Sequence, residues 1–78
     1  MIEIFTGPNC SYCEQAKSLL DSKGIEYQSL DIESSDDIRD DLKARLPHAR
    51  TLPQIFIKGK NIGSYEDLLA LSDKGELT

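Results

Sequence analysis

Apolar and polar residues alternate along this chain with two different periods, and the period changes from one segment to the next. Segments rich in β-branched and aromatic residues predict strands, whereas apolar residues three and four positions apart predict helices. The predicted elements, in chain order, are a strand over 1–6, a helix over 11–23, a strand over 26–31, a helix from Ser34 or Ser35 to Pro47, a strand over 54–57, a short strand around Ile62 and a helix over 65–72. This order, βαβαββα, predicts an α/β sandwich in which a four-stranded mixed sheet is flanked by three helices. Its first strand, helix and strand form a right-handed parallel unit.

Capping residues support the predicted helix boundaries. Gly24 is placed for a left-handed cap after the first helix, and Ser64 followed by Asp67 forms a capping box before the last. The apolar inner faces of the three helices are predicted to be Tyr12, Ala16, Leu19 and Leu20; Ile38, Leu42 and Leu46; and Tyr65, Leu68 and Leu69. A chain of this length can bury one small core between these faces and the sheet.

The length and charge of the chain limit what it can bind. Its 78 residues predict a single domain over 1–78, and 9 basic against 14 acidic residues give a net charge of −5. This charge argues against nucleic acids and anionic membranes as partners, and no apolar stretch approaches the ~18 residues of a membrane span. Met1-Ile2-Glu3 lacks the basic and apolar regions of a secretory signal. We therefore expect a cytoplasmic monomer.

The two cysteines of the chain lie in the segment Cys10-Ser11-Tyr12-Cys13, where a strand is followed by a helix. A thiol at a helix start meets the positive end of the helix dipole and unpaired N–H groups, and both favour the thiolate. Because the thiolate is the species that attacks disulfides, this placement predicts dithiol–disulfide exchange.

Three other interpretations of the cysteine pair are weaker. A structural zinc site normally has four protein ligands, and beyond the two thiols the chain offers only His48 and carboxylates. A structural disulfide of a secreted protein needs an export context, which the first residues do not indicate. Two unrelated buried thiols would not require a turn followed by a helix. We therefore expect a redox pair and no metal.

Three segments, in the right order and at the right spacing, resemble those of the glutaredoxins, and the resemblance covers nearly the whole chain. They are Phe5 to Cys13, similar to the family's Cys-Pro-Tyr-Cys site; Arg50 to Ile57, similar to its Thr-Val-Pro segment and the strand after it; and Asn61 to Leu68, similar to its Ile-Gly-Gly signature. The resemblance implies a thioredoxin-like fold. It also implies a cis peptide bond before Pro53, which would expose the backbone N–H and C=O of Leu52 to an extended peptide.

The same resemblance implies a site for glutathione as co-substrate. Cys10 would be the nucleophile and Cys13 the resolving cysteine, while free N–H groups at the start of the last helix would receive the γ-glutamyl carboxylate. The residues assigned to glutathione are Tyr12, Arg39, Thr51, Leu52, Pro53, Gly63, Tyr65, Glu66 and Asp67.

Three positions depart from the family pattern. Gly7 stands where many members carry a basic residue, Ser11 replaces the proline of the motif, and Ser64 replaces the second glycine of the signature. Without a cation at position 7, Arg39 or Arg50 is the candidate partner for a glutathione carboxylate. The other interpretation of Arg39 is a solvated helix residue.

The predicted function is that of a dithiol glutaredoxin, an enzyme that reduces protein disulfides and glutathionylated protein thiols; ribonucleotide reductase is a client by family analogy alone. Two alternatives stay open. The first is an electron donor recycled by thioredoxin reductase, which the missing cation at Gly7 favours and the segments around Thr51 and Gly63 oppose. The second is a carrier of a [2Fe–2S] cluster, bridged by Cys10 of two subunits and two glutathiones, a capacity of some relatives that lack the motif proline.

Overall fold

The structure, a computed structural model, describes residues 1–77 and contains four strands and three helices. In chain order they are β1 (Ile2–Thr6), α1 (Ser11–Ser22), β2 (Gln28–Asp31), α2 (Asp36–Arg45), β3 (Gln54–Ile57), β4 (Lys60–Gly63) and α3 (Tyr65–Asp73). The strands form one sheet in the order β2-β1-β3-β4. Strand β1 is parallel to β2 and antiparallel to β3, and β3 is antiparallel to β4. The predicted α/β sandwich with a mixed sheet is confirmed.

The two faces of the sheet bury two separate apolar clusters. The larger cluster, on the face covered by α1 and α3, consists of Ile2, Ile4, Ala16, Leu20, Ile55, Leu68 and Leu77. The smaller, on the face covered by α2, consists of Phe5, Leu42 and Phe56. Successive strand residues point to opposite faces, which is why Ile4 and Phe5 of β1 belong to different clusters.

Arg45, the last residue of α2, closes the smaller cluster at its rim. Its guanidinium lies over the ring of Phe56, 4.9 Å from the centroid, and donates to the carboxylates of Glu3 at 2.9 Å and Asp41 at 2.9 Å. The hydrogen bond to Glu3 is the main reason why the pKa of Arg45 is raised. Stacking and ion pairing together join α2 to strand β1.

The structure corrects several details of the predicted elements. Strand β2 begins at Gln28 rather than at residue 26, because β1 offers its first partner at Glu3 and Tyr27 packs against the larger cluster instead. Helix α1 ends at Ser22 with Lys23 as its cap, and Ser35 caps α2 by accepting the Asp37 N–H at 3.1 Å.

The inner faces of the helices are narrower than their apolar patterns indicate. In α1 the buried residues are Cys13, Ala16 and Leu20, whereas Tyr12 is 55% exposed; its assignment to the inner face is wrong. Its ring instead lines an open groove and stacks on the ring of Tyr65, with centroids 6.3 Å apart. Within residues 1–77 no helix combines the length and apolar character needed to cross a membrane.

Candidate active site

Cys10 is the N-cap of α1. Its extended backbone, with φ −111° and ψ 99°, turns the chain from the loop after β1 into the helix, and its Sγ accepts the N–H of Cys13 at 3.1 Å. The residue before it, Asn9, has a positive φ of 56°, a conformation that asparagine adopts more readily than most residues. The loop therefore delivers the sulfur of Cys10 to the point where the amides of the first helical turn converge.

The two cysteines form a disulfide with their Cα atoms 5.3 Å apart, and their surroundings differ sharply. Cys10 is partly exposed, whereas Cys13 is 0% exposed beneath the first turn of α1. Since a substrate disulfide has to reach the attacking sulfur, Cys10 is the accessible nucleophile, and Cys13 can meet only a partner already attached to Cys10.

A turn at Pro53 forms one side of an open groove beside the pair. The Leu52–Pro53 peptide bond is cis, as predicted, and Pro53 itself is fully buried. The side-chain amide of Gln54 holds the turn by donating to the backbone oxygen of Thr51 at 3.0 Å and to its hydroxyl at 3.3 Å. Asn61 of β4 in turn donates to the Gln54 side chain at 3.3 Å. These amides tie the turn to both neighbouring strands.

The start of α3 forms the opposite side of the groove. The carboxylate of Asp67 accepts the N–H of Ser64 at 2.9 Å and its hydroxyl at 3.2 Å, which confirms the predicted capping box. Gly63 precedes it with φ +106°, and a Cβ at Gly63 would collide with the Asp67 carboxylate, so position 63 requires glycine on both counts. The N–H groups of Tyr65 and Glu66, in the first turn, have no carbonyl partner within the helix.

The groove has a volume of about 300 Å³ and is lined by Tyr12, Thr51, Leu52, Pro53, Ser64, Tyr65 and Glu66. Its two aromatic residues, Tyr12 and Tyr65, stack with ring centroids 6.3 Å apart and thereby connect the starts of α1 and α3. The lining contains one carboxylate, from Glu66, and no cation. Recognition of an anionic ligand in this groove would therefore depend on backbone N–H groups.

Six of the nine residues assigned to glutathione line this groove, and Gly63, Asp67 and Arg39 do not. Gly63 and Asp67 stand just behind the wall of the groove, where they shape the start of α3. Arg39 lies on α2, and its guanidinium pairs with Glu33 at 3.2 Å instead of lining the groove. Its role toward glutathione stays a prediction, as do the other assigned roles.

Gly7 contributes space rather than an unusual backbone conformation. It is not among the glycines with positive φ, but a Cβ at Gly7 would lie 2.9 Å from Cδ1 of Leu52. The leucine that borders the groove thus leans directly against the chain before the cysteine pair. A larger residue at position 7 would have to displace it.

A second cavity has Cys10 itself in its lining. It is lined by Thr6, Gly7, Pro8, Asn9, Cys10, Ser11, Glu14, Lys17, Ser29 and Asp31. Its one cation, Lys17, pairs with Glu14 at 3.1 Å, so its charge is largely compensated beside the sulfur. In the part of the chain that the structure describes, no three His, Cys, Asp or Glu side chains are grouped to hold a metal ion.

Sequence reasoning missed three residues with a structural part in the site. Gln54 and Asn61 support the turn at Pro53. The signal in the sequence was an amide residue, Gln54, at the start of the otherwise apolar strand Gln54–Ile57. Thr6 was also missed, although it is a polar residue at an inward position of β1, immediately before the active-site loop.

Comparison with known proteins finds similar sequences over nearly the whole chain. The sequence profile of the family described as Glutaredoxin matches residues 2–62. Over 76 residues the chain is 42% identical to glutaredoxin 3 of Escherichia coli (strain K12), covering 97% of this chain and 90% of that protein. It is 41% identical to a probable glutaredoxin of Synechocystis, covering 97% and 86% of the two chains.

Solved structures agree with the sequence comparison. The crystal structure of a buckwheat glutaredoxin–glutathione complex superposes with a TM-score of 0.81 at 30% identity, covering 97% of this chain and 71% of that chain. The solution structure of glutaredoxin from Brucella melitensis gives a TM-score of 0.77 at 39% identity, covering 97% and 82%.

Proposed function

The chain belongs to the glutaredoxin family, and on this premise we propose that it is a dithiol enzyme that uses glutathione to reduce protein disulfides and glutathionylated protein thiols. Its cysteine pair at disulfide distance gives it an oxidoreductase role. The observation that carries the proposal is the asymmetry of that pair: Cys10 is accessible at a helix start, and Cys13 is buried behind it.

The first step is the attack of Cys10 on the substrate. The Cys10 thiolate forms a bond to one sulfur of a protein disulfide, and the other sulfur leaves as a thiolate that takes up a proton. The dipole and amides at the start of α1 stabilise the attacking thiolate, including the Cys13 N–H that lies 3.1 Å from Sγ.

Cys13 then resolves the mixed disulfide. Its sulfur bonds to Sγ of Cys10, the second substrate sulfur leaves as a thiol, and the enzyme is left oxidised. Two glutathiones reduce it again and leave as glutathione disulfide. For a glutathionylated substrate Cys10 alone suffices, because free glutathione can resolve the intermediate.

The groove supplies the proposed glutathione site. The backbone of Leu52 would pair with the cysteinyl part of glutathione, Tyr12, Thr51 and Pro53 would form the wall, and the amides of Tyr65 and Glu66 would receive a carboxylate. The buckwheat relative was solved in complex with glutathione, and this likeness supports the assignment. Gly63 and Asp67 would hold the start of α3 in place, and Arg39 would be a second-carboxylate partner only after leaving Glu33.

The wider assignments are proposals too. We propose a single domain over residues 1–78 that acts as a cytoplasmic monomer on disulfide-containing and glutathionylated proteins. Ribonucleotide reductase is the client that family analogy suggests.

The test compares two recycling systems on the same purified protein. Oxidation of NADPH is followed with glutathione and glutathione reductase, or with thioredoxin reductase alone, using one glutathionylated and one protein disulfide substrate. We expect turnover of both substrates in the glutathione system, and none with Cys10→Ser. Turnover with thioredoxin reductase but not with glutathione would overturn the proposal.

A further inference from the structure

The hydroxyl of Thr6 is buried without a hydrogen-bond partner. Thr6 is the last residue of β1 and is 3% exposed, and among the described residues its Oγ1 is the one buried side-chain oxygen or nitrogen that no group pairs with. Burying such a group without a partner is unfavourable, so an unpaired hydroxyl inside a folded protein calls for an explanation.

The register of β1 places Thr6 on the face of the sheet that α1 covers. Ile2, Ile4 and Thr6 alternate with residues of the opposite face, and Ile2 and Ile4 pack with Ala16 and Leu20 of α1. Helix α1 runs back along β1 from the loop that joins them. The end of β1 is thus opposite the start of α1, one turn before Ala16, where Cys13 is buried.

The orphaned hydroxyl and the buried cysteine are complementary. In the disulfide the Cys13 sulfur is bonded to Cys10, and Thr6 Oγ1 has no hydrogen-bond partner. When the disulfide opens, Cys13 presents a thiol or thiolate that solvent does not reach, since Cys13 is 0% exposed. A buried thiolate needs a hydrogen-bond donor, and a threonine hydroxyl supplies one.

We propose that Thr6 is a positioning residue for the resolving step, whose hydroxyl donates a hydrogen bond to the Cys13 sulfur in the reduced enzyme and loses it when the disulfide forms. The inference rests on the resolving role proposed above for Cys13. In that step the Cys13–Cys10 bond forms, the bond from Cys10 to the substrate sulfur breaks, and the substrate thiolate takes the proton that Cys13 gives up. Thr6 is neither oxidised nor reduced.

This assignment predicts that removing the Thr6 hydroxyl changes thermal stability differently in the reduced and the oxidised protein. The reduced enzyme is stabilised by the Thr6 hydroxyl and the oxidised enzyme is not, so Thr6→Val, which keeps the shape and removes the hydroxyl, acts on the reduced state. We expect the thermal midpoint to fall in reduced protein and to stay or rise in oxidised protein. A group with a merely structural role would lower both midpoints alike.

The redox equilibrium is the decisive measurement. Purified protein is equilibrated with mixtures of reduced and oxidised dithiothreitol, and the fraction of disulfide is determined. We expect Thr6→Val to favour the disulfide roughly three- to tenfold, the worth of about one hydrogen bond, where tenfold corresponds to ~30 mV toward a more reducing potential. Thr6→Ser, which restores the hydroxyl, should return the equilibrium toward wild type.

Two controls separate this inference from a general effect of removing a hydroxyl and from failure of the proposed glutathione-dependent function. Ser22→Ala removes a hydroxyl from the far end of α1, where it donates to the Leu19 carbonyl at 2.8 Å, and should leave the redox equilibrium in place. The dithiothreitol assay needs no glutathione, so failure of the proposed recycling system appears in the turnover assay and not here. An unshifted equilibrium in a folded Thr6→Val protein overturns the inference.

A double-mutant comparison locates the partner. If the hydroxyl acts on Cys13, Thr6→Val changes the rate of protein-disulfide reduction when Cys13 is present, and leaves the rate on a glutathionylated substrate, which free glutathione resolves, unchanged in a Cys13→Ser background. An equal rate change in both backgrounds would place the hydroxyl at Cys10, contrary to the proposal.

Discussion

Helices α1 and α3 both begin beside the groove, but different groups close their first turns. At α1 the cap is the sulfur of Cys10, which accepts the Cys13 N–H at 3.1 Å. At α3 the cap is the carboxylate of Asp67, which accepts the Ser64 N–H at 2.9 Å. Sulfur is a weak acceptor, whereas a carboxylate is a strong one. The first turn of α1 therefore keeps donor capacity for a developing thiolate, while the start of α3 is held by the internal bond between Ser64 and Asp67.

Because of this difference, the start of α1 determines the reactivity of the protein and the start of α3 contributes to its stability. Changing the cap of α1 should remove the chemistry and leave the fold, since serine is itself a favoured N-cap residue. Changing the cap of α3 should weaken the fold and leave the cysteines intact. The two helix starts thus share one backbone geometry and use it for different purposes.

The largest expected effect is that of Cys10→Ser. We expect it to abolish reduction of both protein disulfides and glutathionylated substrates, because no other sulfur is accessible at a helix start. Its stability should match that of the reduced wild-type protein, since the serine hydroxyl can take over the cap. Turnover and thermal unfolding under reducing conditions provide the measurements. Residual activity on either substrate would contradict the role of Cys10.

Cys13→Ser should divide the two activities. We expect it to impair reduction of protein disulfides, which needs an internal resolving thiol, and to spare reduction of glutathionylated substrates, which glutathione can complete. Parallel rate measurements on the two substrates check this. Equal loss of both activities in Cys10→Ser and Cys13→Ser would refute the assignment of distinct roles.

Asp67→Ala should have a moderate effect on stability. Loss of the bond to the Ser64 N–H is expected to cost about 0.5–2 kcal/mol, the usual range for helix caps. Denaturant unfolding of the reduced protein measures the change. The matched control is Asp73→Ala at the opposite end of α3, where an acidic residue gains nothing from the helix dipole. Equal destabilisation by the two changes would show that the cap contributes nothing.

The smallest expected effect is that of Gly7→Lys. A cation near Cys10 should shift the thiolate titration to lower pH and lower the apparent Michaelis constant for glutathione. Exposed charge pairs are worth ~0.2–1 kcal/mol, so the change should be at most several-fold and should shrink with added salt. Thiolate absorbance against pH and glutathione-dependent rates are the measurements.

Gly7→Ala is the control for that substitution, because it adds the same Cβ against Leu52 without the charge. Any effect of moving Leu52 appears in both variants, and only the difference between them reports the cation. A lysine variant that folds well and titrates like the alanine variant would contradict the prediction.

The architecture could be predicted because the elements are strongly periodic and sharply bounded. The turn before Pro53 and the box formed by Ser64 and Asp67 combine local signals with a known family pattern, and both appear in the structure. The groove could be predicted for the same reason, since its sides lie at these boundaries and at the start of α1, where Tyr12 lines it.

The remaining features depend on long-range contacts that no local pattern encodes. Arg45 reaches 42 positions back to Glu3 across the sheet, and its stacking on Phe56 depends on how α2 crosses the strands. The exposed position of Tyr12 goes with its stacking on Tyr65, 53 positions further along the chain, and so depends on how α3 packs beside α1. The orphaned hydroxyl of Thr6 is visible only when every possible partner has been placed.

The stacked pair Tyr12 and Tyr65 has a spectroscopic consequence. The chain contains three tyrosines and no tryptophan, so two of its three native fluorophores sit at the mouth of the groove. The third, Tyr27, lies on the edge of the larger cluster, where its hydroxyl faces Asp21 at 3.5 Å. Ultraviolet emission from this protein is therefore weighted toward the neighbourhood of the cysteine pair. Opening of the disulfide or entry of a ligand into the groove can be followed by that emission without an added label.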